Sequence, residues 1–176
     1  MLINGASGGV GTFAVQIAKS FRAEVTAVCS TGNLEMARSI GADHVIDYTH
    51  ENFTRGAERY DLILAANGYH ALADYKRALR PKGRYVMTGG AMAQMLEVML
   101  LGPLFSMTGG NSMSNVLARP NRDDLTFLSG LLAAGQVVPV IDRRHPLCEI
   151  PEALRYLEAG HARGKVVITL DQDKRM

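Results

Sequence analysis

Tryptophan is absent from this chain and cysteine nearly so: Cys29 and Cys148 lie far apart, with no Cys-x-x-Cys pair and too few cysteines for a zinc ligand set. Neither a disulfide framework nor a zinc site is expected, and a reducing, cytoplasmic setting fits. Charge of one sign is missing too, since 19 basic side chains face 17 acidic ones and leave a formal net charge of +2. With no Lys/Arg run to track a phosphate backbone, nucleic acid is not an expected partner. Nor is a membrane. The most apolar stretch, 91–101, contains Gln94 and Glu97 and is too short to span a bilayer, and no basic segment leads into an apolar one as an export signal requires. The histidines are scattered, with no Ser or Cys at a telling spacing, which argues against a hydrolytic triad. What is present is 176 residues with 47% hydrophobic content, enough to bury the core of one ordinary domain.

Strand and helix patterns alternate along the chain. After a glycine cluster, Val10, Phe13, Ala14, Ile17, Ala18 and Phe21 recur at helical spacing, which predicts an amphipathic helix with these residues as its buried stripe. Strands are expected at 25–29, 44–48, 61–66 and 85–87. Helices fall between them, at 33–40 with Gly41 as its stop, and with Leu72, Tyr75 and Leu79 on one face before the breaker Pro81-Lys82-Gly83. A Met-rich helix around 92–101 leads into Leu104-Phe105-Ser106-Met107-Thr108, another strand candidate. Farther on come a helix opened by Asp123 or Asp124 and carrying Leu125, Leu128, Leu131 and Leu132, a strand at 137–141, a helix at 150–159 and a last strand at 165–170. Such alternation predicts an α/β fold: a doubly wound parallel sheet with helices on both faces, three layers in all.

The stretch Ala6-Ser7-Gly8-Gly9-Val10-Gly11 follows an apolar strand start and opens the first helix, inside a βαβ unit of roughly the 30 residues that a dinucleotide site needs. Glycines there let a backbone approach a ligand, and the helix then offers free N–H groups and its positive end, a setting that suits a pyrophosphate. A tight turn without a ligand is the alternative. At the end of the second strand, where NAD sites place a carboxylate for the ribose 2′-hydroxyl, the chain reads Cys29-Ser30-Thr31-Gly32-Asn33. With no carboxylate to repel a 2′-phosphate, NADP(H) is preferred over NAD(H). Arg38 is the nearest cation in sequence.

The stretches 4–11, Ser39-Ile40-Gly41-Ala42-Asp43-His44-Val45-Ile46-Asp47-Tyr48, Ala78-Leu79-Arg80-Pro81-Lys82-Gly83-Arg84-Tyr85-Val86 and Ala159-Gly160-His161-Ala162-Arg163-Gly164-Lys165-Val166-Val167 together resemble the cofactor-binding half of the medium-chain dehydrogenase/reductases, in their zinc-independent, quinone oxidoreductase-like branch. The resemblance implies a Rossmann-like domain over 1–136 and a segment over 137–170 that packs on an N-terminal GroES-like domain, while the charged tail over 171–176 is expected to be disordered. It makes the strands at 137–141 and 165–170 pieces whose pairing partners are missing. It assigns the backbone of Ser7, Gly8, Gly9 and Val10 to the pyrophosphate, and Ser30, Thr31 and Tyr48 to the adenosine ribose with its 2′-phosphate. Asn67, Gly68, Thr88, Gly89 and Thr108, at strand ends, would line the nicotinamide side. No metal ligand and no catalytic residue is assigned. The implied activity is hydride transfer from NADP(H) to a small-molecule quinone, enone or related carbonyl, by a fragment inactive alone. A homodimer through a strand at 104–108 is implied as well. A non-catalytic NADPH-binding or interaction module is the alternative.

Overall fold

The computed structural model describes residues 1–89, 92–107, 110–116, 118–160 and 162–170. Its centre is a six-stranded sheet of β1 (Leu2–Asn4), β2 (Thr26–Cys29), β3 (His44–Asp47), β4 (Tyr60–Ala65), β5 (Leu79–Met87) and β6 (Ser112–Asn115), in the order β3-β2-β1-β4-β5-β6. Every pair in it is parallel. Side chains alternate across the pleat, so neighbours in one strand enter different cores. Leu2, Val28, Ile63 and Ala65 join one core with Leu72, Tyr75 and Ala78 of α3 (Leu72–Ala78). Ile3, Ala27 and Cys29 join the other, with Val15 and Ala18 of α1 (Gly11–Ser20) and Ala37 of α2 (Leu34–Ser39). The expected Rossmann-like, three-layered α/β sheet is what the chain forms. The strand order reverses between β1 and β4, and open sheets of this kind bind ligands at the carboxyl ends of the strands beside that switch point.

The face that α1 turns inward differs from the expected stripe. Gly11, Thr12, Val15, Gln16 and Ala18 are buried, whereas Val10 is 54% and Phe21 68% exposed. The cause is the close approach at Gly11, where a Cβ would stand 2.1 Å from the Gly5 carbonyl oxygen: only the small side of the helix can meet the sheet. The larger apolar residues make a second face, on which Phe21 stacks with Phe127 of α5 (Arg122–Ala133), ring centroids 5.9 Å apart. That last helix starts one residue before the expected aspartates because Asn121 caps it, its side chain accepting from the Asp124 N–H at 2.8 Å.

The strand expected at 104–108 is not one. Helix α4 (Met92–Met107) runs through Pro103 to the end of that segment, and Thr108 lies outside the described residues. Leu104-Phe105-Ser106-Met107 contains no β-branched residue, and a short apolar run fits helix and strand equally. The sixth strand is instead Ser112–Asn115, pairing with Arg84–Met87. Its sequence Ser-Met-Ser-Asn carries little strand signal.

The expected strand at 137–141 starts later, as β7 (Ile141–Pro146), and pairs in parallel with β8 (Lys165–Thr169) in a two-stranded sheet. These two strands are therefore partners of one another. Before β7 the backbone is engaged otherwise: Val138 donates to Gln16 Oε1 at 2.8 Å and accepts from Gln16 Nε2 at 2.9 Å, while Lys165 N–H donates to the Val140 carbonyl. Helix α6 (Ile150–Glu158) bridges β7 and β8. On α5 and α6, Leu125, Phe127, Leu132, Leu154 and Leu157 are all exposed. No helix among the described residues is long and apolar enough to cross a membrane.

Candidate functional site

At the carboxyl end of β1 the chain turns at Gly5, whose φ of +82° suits glycine alone, and the N–H groups of Gly5 and Ala6 both donate to the Val28 carbonyl. The loop then closes on itself, Gly8 N–H reaching the Gly5 carbonyl at 3.3 Å and Thr12 N–H the Gly8 carbonyl at 3.0 Å. No side chain caps α1, and no acidic residue stands in its first turn. Among the described residues no acceptor meets the N–H groups of Ser7, Gly9 or Val10. Unpaired donors at the positive end of a helix are what an anionic group requires.

Two cations come from the far end of the chain, one to this loop and one to the turn after β2. Gly164 N–H donates to the Ser7 carbonyl at 2.9 Å, laying the segment that enters β8 across the loop. The Lys165 ammonium stands 3.0 Å from where a Cβ on Gly9 would sit. The Arg163 guanidinium stands 3.3 Å from the corresponding point on Gly32, in the turn after β2. Asp142 holds the Arg163 backbone N–H at 2.9 Å and takes the Tyr156 hydroxyl at 2.6 Å. In that turn Asn33 donates to Ser30 Oγ at 2.9 Å, and among the described residues its buried Oδ1 has no partner.

Of these groups Gly5, Ser7, Gly8, Ser30, Asn33 and Arg163 border a cleft of about 620 Å³ over the switch point. Of the residues singled out in the sequence, Ser7, Gly8, Ser30, Tyr48, Asn67 and Gly68 line it. Gly9 and Val10 belong to the loop without lining the cleft, and Thr88 and Gly89 lie at the end of β5, outside it. Thr31 is spent elsewhere: its hydroxyl donates to Asp47 at 2.5 Å. The cleft also takes in Glu51, Tyr69 and Arg163, and with them His70, whose pKa burial lowers from its usual value. Cys29 faces it too, with a thiol that burial, aided by Asp47, pushes up to about 11. Arg163 and Lys165 were not legible as site residues, because nothing local in sequence links them to the glycine loop.

The carboxylate nearest the ribose turn is Asp47, in register with Cys29 on the neighbouring strand. It is saturated by its own surroundings, accepting from Thr31, from the Thr49 N–H and hydroxyl, and from His50. These hydrogen bonds, Thr31 foremost, hold its carboxyl well below the usual range. A depressed folded-state pKa contributes stability that is complete above the unfolded value of about 4 and is lost as pH falls through the folded one. Thermal unfolding between pH 5 and pH 3 is therefore expected to show a steeper acid decline for the parent than for Asp47→Asn. Equal slopes would remove Asp47 as a source of acid sensitivity.

A family model described as zinc-binding dehydrogenase matches residues 40–168. The chain belongs to that family. Within it the chain matches the C-terminal portion of the quinone oxidoreductase-like medium-chain dehydrogenase/reductases. The mitochondrial NAD(P)H oxidoreductase RTN4IP1 of Danio rerio is 32% identical over 193 residues, covering 99% of this chain and 50% of that protein. A chloroplast envelope quinone oxidoreductase homolog of Arabidopsis thaliana is 33% identical over 174 residues, covering 96% and 51%. The solved quinone oxidoreductase of Coxiella burnetii superposes with a TM-score of 0.79 at 25% identity, over 96% of this chain and 52% of that one. This family member thus spans about half the length of the relatives it matches. The Danio rerio and Arabidopsis thaliana relatives are named for the mitochondrion and the chloroplast envelope, and nothing in the comparison places this chain in the cytoplasm. Among its described residues no three His, Cys, Asp or Glu side chains come together as a metal-binding group.

Proposed function

We propose that this chain is the NADP(H)-binding part of an oxidoreductase that transfers hydride to a quinone, enone or related carbonyl compound, acting without zinc. The observation that carries the reading is the pairing of two cations with two backbone cradles: Lys165 against the glycine loop, Arg163 against the carboxylate-free turn after β2. The donors present fit the cofactor. The N–H groups of Ser7, Gly9 and Val10 with Lys165 bind the pyrophosphate, and Ser30, Asn33 and Arg163 take the adenosine ribose and its 2′-phosphate. Asn67 and Gly68 orient the other end at the close of β4. The nicotinamide supplies the hydride when bound, and the chain's own residues bind, orient and shield it.

Residues 1–136 form the dinucleotide domain in this reading, and 137–170 face a further domain, to which the exposed leucines of α5 and α6 are suited. The chain alone then binds cofactor without appreciable turnover. A homodimer remains part of the proposal, with β6, the last strand in the order of the sheet, as the pairing strand.

Calorimetric titration tests the cofactor assignment. Micromolar binding of NADPH, weaker binding of NADH, and loss of both in Gly9→Val are expected; a Cβ at Gly9 would stand 3.2 Å from the Gly164 carbonyl and 3.0 Å from the Lys165 ammonium. A folded chain that binds neither nucleotide would defeat the proposal.

A further inference from the structure

Next to the cleft, and separate from it, a second cavity of about 530 Å³ opens between the loop that follows β3 and helix α3. Asn52, Thr54, Arg55, Arg59, Asp74 and Arg77 line it, so three guanidinium groups face one carboxylate. That carboxylate is taken, since Arg77 pairs with Asp74 on its own helix and also reaches the Thr54 carbonyl. Arg59 donates only to neutral carbonyls, those of Gly56 and Glu58, which orient its head without cancelling its charge. Among the described residues neither Arg55 nor Arg59 has an ion-pair partner.

The wall that carries these arginines is built rather than loose. Asn52 caps the short 3₁₀ turn Phe53–Arg55, its Oδ1 accepting from the Thr54 N–H at 2.9 Å and hydroxyl at 2.8 Å. Phe53 and Thr54 are buried, and the Phe53 ring packs edge-on against His70 at 4.9 Å. A concave surface with uncompensated positive charge concentrates its field, and the planar fork of a guanidinium matches the oxygens of a phosphate. The volume exceeds what one small anion fills. Asn52 also lines the dinucleotide cleft, so the two cavities share a wall.

We propose that this cavity is a second anion site, taking the phosphate or diphosphate group of a small molecule, with Arg55 and Arg59 as its binding cations, and that it fills while the dinucleotide cleft is occupied. The same phosphate chemistry could come from a separate ligand or from the adenosine end of the dinucleotide itself, and occupancy alongside the dinucleotide separates the two.

Inorganic pyrophosphate is the probe, titrated calorimetrically into the full chain alone and into the chain saturated with NADPH. One equivalent is expected to bind in the presence of NADPH, and at least tenfold more weakly in the double variant Arg55→Ala/Arg59→Ala, whose NADPH affinity stays at the parent value. Arg55→Gln/Arg59→Gln, which keeps the side-chain volume, must show the same loss. Displacement of pyrophosphate by NADPH, equal affinity in the variants, or no binding to the parent would each overturn the proposal. The inference stands apart from the cofactor assignment: if NADPH fails to bind, comparing parent with the arginine variants in its absence still reads this site.

Discussion

Alanine at Gly11 is expected to lower the thermal unfolding midpoint by about 10 °C or to prevent folding altogether, for the cost of one methyl group. Its Cβ would lie 2.1 Å from the Gly5 carbonyl oxygen, 2.6 Å from Ala6 Cα and 2.7 Å from the Ala6 carbonyl carbon. All three are backbone atoms, so no rotamer change relieves the clash, and either α1 or the loop must move. The loop is pinned: Gly5 and Ala6 both donate to Val28, and a Cβ on Gly5 would itself stand 2.7 Å from the Asn67 nitrogen. Overpacking a core whose side chains can yield costs about 1–3 kcal/mol, and a collision with backbone belongs at or above the top of that range. Against a total stability of about 5–15 kcal/mol the loss is large. Gly130→Ala is the control, because in the middle of α5 a Cβ meets nothing within 4 Å, and alanine there should gain up to about 1 kcal/mol of helix propensity. A Gly11→Ala chain that melts with the parent would show that the helix does not depend on this close approach.

Arg163 and Lys165 should separate the two nucleotides. Loss of a hydrogen-bonded charge costs about 1.5–3 kcal/mol, so Arg163→Ala is expected to weaken NADPH roughly 10- to 100-fold while leaving NADH nearly unchanged. Lys165→Ala, acting at the pyrophosphate common to both, should weaken both by similar factors. Arg38, the cation nearest the turn in sequence, is exposed on α2, and Arg38→Ala should alter neither. Asp142→Ala removes the acceptor of the Arg163 N–H and should give a partial Arg163 phenotype. The assignment of Arg163 fails if its alanine variant loses NADH and NADPH equally.

What could be read from sequence was local. The glycine turn, the β-branched runs of β2 to β4 and the stop at Gly41, which takes a φ of +104°, are each written in consecutive residues. What could not be read depends on residues meeting from a distance. The inward face of α1 follows from backbone contact at Gly11, not from its apolar periodicity. Strand β6 exists because Arg84–Met87 offers it a ladder, while among its own four residues only Met113 is buried. The family likeness marked the stretch around Gly164 without saying that Lys165 returns to the glycine loop and Arg163 to the turn after β2. At the ribose turn the sequence told what was missing, a carboxylate. The structure adds the cation standing there and the nearby Asp47, already fully engaged.

The bond between Gly164 and Ser7 spans nearly the whole chain, and so does the approach of Lys165 to Gly9. Synthesis proceeds from the N-terminus at about 5–20 residues per second, so the loop and the strands on either side of it leave the ribosome several seconds before the cations that face them. During that interval a nascent chain can pair β1 with β2 and bury Val15 and Ala18, yet it offers a phosphate only the backbone half of its cradle. Under the proposed function, cofactor capture would in this sense act as proofreading: a polypeptide released before Arg163 carries most of the sheet but lacks both phosphate-facing charges, and tight retention of NADPH would distinguish the finished chain from the unfinished one.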